Sequence, residues 1–318
     1  MQAPFSRTLS LPAALLFINL LLPALLVAAE ELPQPTLSDV RYGDHPRQKL
    51  HFWRVESAEP TAVAIHIHGG GWNGGTRLNG NLKSALPRLQ EAGIAVASVE
   101  YRLIRHGVAQ GVEPPVKAPL SDCARAVQFV RSKADEWNLD PRRVGLFGGS
   151  AGGCTSLWLA LHRDLADPDS PDPIARLSTR PTCAAVIRAQ TTLDPRQMQE
   201  WMPNSFYGGH AFGVGKPGKE NRAANFKEFL ARRDELLPQI NEYSPYALAT
   251  SDAPPIYLFY TTKPAMGEKT KDPTHSSNFG VKLDERLREL GVSSELAYPG
   301  APGVEHATVA DYLIHHLK

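Results

Sequence analysis

Apolar residues fall along this chain in short unbroken runs that alternate with longer stretches at helical spacing. Residues 50–55 (LHFWRV) and 62–68 (AVAIHIH) read as strands, the second with so little polar alternation that both its faces must be covered. Residues 82–92 read as a helix stopped by Gly93, and 94–99 (IAVASV) as another apolar strand. Leu120, Ala124, Val127 and Val130 recur at helical spacing within 116–137, and Asp140-Pro141 marks a turn into the apolar run 144–147. Beyond that run the pattern predicts a helix over 154–162 and strands over 184–189 and 256–261. A helix over 276–290 closed by Gly291, a strand over 295–298 and a helix over 308–317 complete it.

Strands separated by helices imply parallel pairing, because a parallel return needs a long crossover that is usually helical. The fold class is therefore α/β: a mostly parallel central sheet with helices on both faces. Two stretches interrupt the alternation. Residues 163–181 are rich in Asp and Pro, and 191–250 is long, with a helical piece near 225–237. Insertions at strand ends, where ligands bind, suggest a lid or substrate wall.

Composition narrows the class. The chain has 318 residues, 42% of them hydrophobic, no fixed-period repeat and no low-complexity linker, so one domain over 30–318 with an insertion around 191–250 is the simplest organisation. Net charge is +1 and no basic stripe is interleaved with aromatics, which argues against a nucleic-acid partner. Residues 1–29 stand apart. Arg7 precedes a nearly unbroken aliphatic run over 11–27, and Val27-Ala28-Ala29 supplies small residues at a cleavage site. This predicts a secretory signal cleaved before Glu30 and a secreted or periplasmic protein, the competing reading being an uncleaved anchor. No later run is apolar and long enough to span a bilayer. Cys123, Cys154 and Cys183 are an odd number; buried thiols are the default, with one disulfide open.

The chemistry gathers around Ser150. Gly148-Gly149-Ser150-Ala151-Gly152 spells G-x-S-x-G between a strand and a helix, a turn so tight that glycines must flank the serine. A serine nucleophile needs a base, an orienting group and donors for the oxyanion. His68-Gly69-Gly70-Gly71-Trp72 follows a buried strand, and the amides of Gly70, Gly71 and Ala151 are the candidate donors. For the base, His306 lies on a Gly/Pro-rich loop before the terminal helix, with His275 in reserve; His315 and His316 suit a solvated helix face. His66 and His68 form an H-x-H without further ligands at metal spacing, so His68 is expected to brace the glycine loop. In the order Ser, acid, His, the acid follows the strand 256–261: Asp272 is preferred, with Glu268 and Asp252 as alternatives.

HGGGW at 68–72, Glu100-Tyr101-Arg102-Leu103, Asp140-Pro141-Arg142-Arg143-Val144 and GGSAGG at 148–153 together resemble the α/β-hydrolase superfamily, in its hormone-sensitive-lipase-like and acetyl-esterase branch. The resemblance runs from about residue 46 to the C-terminus. It implies a lipase-like carboxylesterase without cofactor or metal, with Ser150 as nucleophile, Gly70 and Gly71 in the oxyanion hole and His306 as base. The chain departs from that pattern in two places. Gly149 stands where relatives often carry Asp, and the usual short His-Gly-x-x-Asp loop is replaced by residues 260–271 before Asp272. The resulting expectation is a secreted serine ester hydrolase acting through an acyl-enzyme on a small ester or an acylated polymer, with short-chain or acetyl groups favoured. A secreted serine peptidase of the same fold and an inactive binding member are the rival readings.

Overall fold

Eight strands form one sheet in the order β1-β2-β4-β3-β5-β6-β7-β8, in a computed structural model that describes residues 1–2, 32–216 and 218–318. The signal segment expected at 1–29 lies almost wholly outside the described residues. Pro33–Lys318 makes one compact unit. The strands are β1 (Leu37–Arg41), β2 (Lys49–Trp53), β3 (Thr61–Ile67), β4 (Ala95–Glu100), β5 (Leu139–Gly149), β6 (Cys183–Ile187), β7 (Ile256–Phe259) and β8 (Ser294–Ala297). The β1–β2 and β2–β4 pairs are antiparallel and every other pair is parallel. β3 and β4 are buried at every position, as their unbroken apolar runs require.

Two details depart from the sequence pattern. β1 was not foreseen, because it is a partly exposed edge strand with no apolar alternation to announce it. Asp140-Pro141 lies inside β5 rather than in a turn before it. The β3–β5 ladder shifts register there, Thr61 pairing with Leu139 and Val63 with Val144, so a residue without an N–H is tolerated.

The helices between the strands are α1 (Leu82–Glu91), α2 (Ile104–Ala109), α3 (Lys117–Ser132), α4 (Ala134–Trp137) and α5 (Ala151–Leu161). α5 is buried along its whole length, which suits a helix that is apolar all round. The segment 191–250 carries α6 (Pro195–Trp201), α7 (Arg222–Ala231), α8 (Arg233–Tyr243) and α9 (Pro245–Leu248). α10 (Asn278–Glu289) and α11 (Val309–Leu317) complete the set. α11 packs on α1 and on β6, and Gly145 of β5 leaves the room that its Leu313 and Leu317 fill. The Asp/Pro-rich segment 163–181 is tied to α3 through Gln128, whose Nε2 donates to the carbonyls of Ala175 (3.0 Å) and Leu177 (2.8 Å). It contributes nothing to the cleft at Ser150, contrary to its expected part in a lid. Cys123, Cys154 and Cys183 are all buried free thiols, and burial pushes the Cys183 thiol up to about 12. Among the described residues no helix is long and apolar enough to cross a membrane.

Candidate active site

Ser150 sits between the last residue of β5 and the first turn of α5 with φ 53° and ψ −126°. A non-glycine residue held there costs on the order of 1–3 kcal/mol, which the packed strand and helix on either side must sustain. The flanking glycines explain how. A Cβ on Gly152 would lie 2.0 Å from the Ile67 carbonyl oxygen, and one on Gly148 would lie 2.4 Å from the same atom. The chain around Ser150 therefore passes β3 at a distance that only glycine allows. The Ser150 N–H donates to the Ile187 carbonyl at 2.9 Å, tying the turn to the end of β6.

His275 meets this serine. Its Nε2 is 2.9 Å from Ser150 Oγ, and its Nδ1 is 2.8 Å from Asp272 Oδ2. A carboxylate can only accept, so Nδ1 carries the proton and Nε2 presents its lone pair to the serine hydroxyl. Asp272 caps a single 3-10 turn, Pro273–His275, with Pro at its first position. Because such a turn has three residues per revolution, positions three apart eclipse, and Asp272 and His275 share one side.

The base anticipated from the Gly/Pro-rich loop is not at this site. His306 Nδ1 lies 2.7 Å from Glu295 Oε2, while Glu295 Oε1 accepts the backbone N–H groups of Glu305 (3.0 Å) and His306 (2.8 Å). The His306 carbonyl in turn accepts from the Tyr257 hydroxyl at 2.6 Å. One carboxylate on β8 thus takes three donors from the loop and bends it back over β7 and β8, so His306 cannot reach Ser150. The reserve candidate, His275, is the histidine that stands beside Ser150. Of the three candidate acids, Asp272 stands against the histidine. Glu268 is exposed on its loop, and Asp252 pairs with Arg180 Nη1 at 3.0 Å, ahead of β7.

Four residues at the site were not singled out by sequence. Arg188 follows β6 with φ 51°, and its Nη2 donates to Asp272 Oδ2 at 2.6 Å. Gln190 donates to the Thr274 carbonyl, so the end of β6 supports both sides of the Asp272–His275 turn. His210 and Tyr207 come from the segment 191–250. His210 Nε2 is 3.1 Å from the Gly71 carbonyl; since a carbonyl only accepts, that nitrogen bears the proton. Burial lowers the His210 pKa to about 4, so the ring is neutral at pH 7. The Tyr207 hydroxyl is buried beside the same loop. None of these four had an advance signal. Arg188, Gln190, Tyr207 and His210 are far from Ser150 in sequence and sit in no motif.

Gly70 and Gly71, with φ of +113° and +61°, adopt backbone conformations that other side chains resist. Both line the cleft at Ser150, and among the described residues neither their amides nor that of Ala151 make a hydrogen bond. His68 braces this loop as anticipated. Its Nδ1 bonds the Gly69 carbonyl at 2.8 Å, its ring stacks on Tyr101 at 4.1 Å, and its own carbonyl accepts the Tyr101 hydroxyl at 2.6 Å. The cleft has a volume of about 800 Å³. The insertion forms its far wall with Tyr207, His210, Lys216, Arg222 and Phe226.

Comparison with known proteins gives a consistent picture. A family model described as BD-FAE matches residues 52–270. Carboxylesterase NlhH of Mycobacterium tuberculosis is 33% identical over 118 residues, which are 37% of this chain and 34% of NlhH. Esterase LipQ of the same organism is 25% identical over 281 residues, 85% of this chain and 56% of LipQ. This chain thus spans about a third to a half of the length of these relatives. Among solved structures, an acetyl ester-xyloside bifunctional hydrolase from Caldicellulosiruptor lactoaceticus superposes with a TM-score of 0.57 at 23% identity, over 82% of this chain and 78% of that one. That likeness establishes the α/β-hydrolase fold.

Proposed function

The chain belongs to the BD-FAE family, and on that footing we propose that it is a serine carboxylic ester hydrolase in which Ser150, His275 and Asp272 act as nucleophile, base and orienting acid. The observation that carries the reading is the 2.9 Å contact between Ser150 Oγ and the proton-free nitrogen of His275. Two esterase relatives, NlhH and LipQ, support the reaction class.

The reaction balances with these groups alone. As Ser150 Oγ attacks the ester carbonyl carbon, its proton passes to His275 Nε2, and the carbonyl π pair moves onto oxygen. The amides of Gly70, Gly71 and Ala151 are in place to hold that oxyanion; one such donor is typically worth about 3 kcal/mol in the transition state. When the intermediate collapses, the C–O bond to the alcohol breaks and the alkoxide takes the proton from His275. Water then adds to the acyl carbon, giving a proton to His275; as the second intermediate collapses the acyl C–Oγ bond breaks, His275 returns that proton to Ser150 Oγ, and the carboxylic acid leaves with Ser150 and neutral His275 restored. Asp272 keeps Nδ1 protonated throughout, and Arg188 fixes Asp272.

Short-chain or acetyl esters, including acetyl groups on polysaccharide, are the proposed substrates, because the cleft is wide and its far wall carries hydrophilic Lys216, Arg222 and Asn225. We further propose export through residues 1–29, which amino-terminal sequencing of the mature protein would support by starting at Glu30 and refute by starting at Met1. The catalytic reading is tested with Ser150→Ala on 4-nitrophenyl acetate and butanoate. A loss of about 10⁶ in kcat is expected, and retained turnover refutes it.

A further inference from the structure

Histidines aside, the ionisable side chains that line the cleft at Ser150 are Lys216, Arg222, Tyr207 and Asp272, and the charged ones do not balance. Asp272 is already paired with Arg188 at 2.6 Å. Lys216 and Arg222 are exposed, and among the described residues neither has a carboxylate partner. Glu220, two positions before Arg222, takes a hydrogen bond from Asn221 Nδ2 at 3.5 Å instead. The cleft therefore holds two uncompensated positive charges in a chain whose net charge is only +1.

Both cations are held at this wall. The Arg222 guanidinium lies 5.0 Å from the centre of the Phe206 ring, which lines the same cleft. Stacking of this kind occupies the face of the guanidinium plane and leaves its N–H edge free for a planar or tetrahedral anion. Lys216 is fixed through its backbone. Asn225 Oδ1 accepts the Lys216 N–H at 2.9 Å, and Asn225 Nδ2 donates to the Lys216 carbonyl at 2.7 Å. Asn225 stands three residues after Arg222 on α7, where side chains are neighbours on the helix surface, so the clamp sets Lys216 beside Arg222. A Cβ on Gly215 would lie 2.3 Å from Asn225 Cγ, and only glycine lets the loop come that close.

We propose that Lys216 and Arg222 form an anion subsite for the alcohol portion of the ester, so that the preferred substrates are short-chain esters of sugars bearing a carboxylate or a sulfate. The inference rests on the ester hydrolase reading above and deepens it. An acetyl group occupies a small part of a cleft of about 800 Å³, and the remainder is left to the alcohol. A neutral sugar gains nothing from two solvated cations at the wall. An anionic one pairs with both, and with the Arg222 fork through two parallel hydrogen bonds.

The test measures acetate release from two matched pairs of polymers: acetylated polygalacturonate against the same polymer with its carboxylates methyl-esterified, and acetylated dextran sulfate against acetylated dextran. At about 10 mM NaCl wild type should favour the charged member of at least one pair by about tenfold in kcat/KM, each exposed cation contributing about three- to fivefold. The pair that shows the preference separates carboxylate from sulfate. Raising NaCl to about 1 M shortens the screening length from about 30 Å to about 3 Å and should erase the preference. Lys216→Gln combined with Arg222→Gln should erase it at low salt. Lys83→Gln combined with Arg142→Gln removes as much charge from exposed positions outside the cleft and should keep it. Equal rates within both pairs at low salt overturn the proposal, as does a preference that survives loss of Lys216 and Arg222 or that falls equally with Lys83 and Arg142. Wild type inert towards 4-nitrophenyl acetate and all four polymers overturns the hydrolase reading and this one with it; wild type active on 4-nitrophenyl acetate without preferring either charged polymer overturns the anion subsite alone.

Discussion

Alanine substitution at His275 and, separately, at His306 distinguishes the histidine that meets Ser150 from the one that the loop before α11 holds aside. His275→Ala removes the only ring nitrogen within hydrogen-bond reach of Ser150 Oγ among the described residues. Members of a catalytic triad act as a unit, and losing the base alone costs about 10⁶ in kcat, equivalent to about 8 kcal/mol. His306→Ala has a different cost. It removes the 2.7 Å side-chain contact to Glu295, but the backbone donors of Glu305 and His306 still satisfy that carboxylate. One charge-assisted bond in a partly exposed site is worth about 1–2 kcal/mol, which should lower Tm by about 2–8 °C in a domain of this size. Because His306 shares no partner with the triad, kcat should stay within a factor of about three. Initial rates on 4-nitrophenyl butanoate, with thermal melts to confirm folding, measure both. A His306→Ala loss above a thousandfold, or a His275→Ala loss below tenfold, refutes the assignment.

Three further outcomes follow from the geometry. Asp272→Asn cannot enforce a proton on His275 Nδ1 and should lower kcat by about 10⁴ with little change in KM; a loss under tenfold would show that the tautomer is set elsewhere. His210→Ala frees the Gly71 peptide, so kcat should fall by about ten- to a hundredfold, less than outright removal of an oxyanion donor, and His210→Gln should recover part of it; equal defects in both variants would contradict a hydrogen-bonding role. Burial lowers His210 to about 4 and His66 to about 3, both below the value of about 6.5 for an unfolded histidine. The unfolded chain therefore binds protons that the folded one refuses, and stability is lost as pH falls from 6.5 towards 4. The slope is about 1.4 kcal/mol per pH unit per residue, or about 5 kcal/mol for the pair between pH 6.5 and 4.5. Urea midpoints at pH 7, 5.5 and 4.5 measure it; a constant midpoint would contradict the buried neutral state.

The central strands and the serine turn were legible because their causes are local. An apolar run such as 62–68 must be covered on both faces whatever surrounds it, and glycines at 148 and 152 have few explanations other than a backbone passing close by. The edge strand β1 was not legible, since a half-exposed strand leaves little periodicity. Pro141 inside β5 misled for a related reason: only the register shift opposite Thr61 and Val63 shows why a proline is tolerated there. The choice between His275 and His306 was harder still. Both lie on loops before a helix at the proper chain position, and their difference rests on Glu295, whose partners come from a different loop.

By itself the sequence determined an α/β sheet, the strained turn at Ser150, the glycine loop at 69–71 and the neighbourhood of the acid, because each depends on spacing within a few residues. Tertiary structure alone decided which histidine meets Ser150, which arginine pairs with Asp272 and which histidine of the insertion holds the Gly71 carbonyl. The physical reason is the same in each case. A hydrogen bond between residues more than a hundred positions apart, such as Ser150 with His275 or Gly71 with His210, leaves no periodic trace along the chain and exists only once the sheet has brought its ends together.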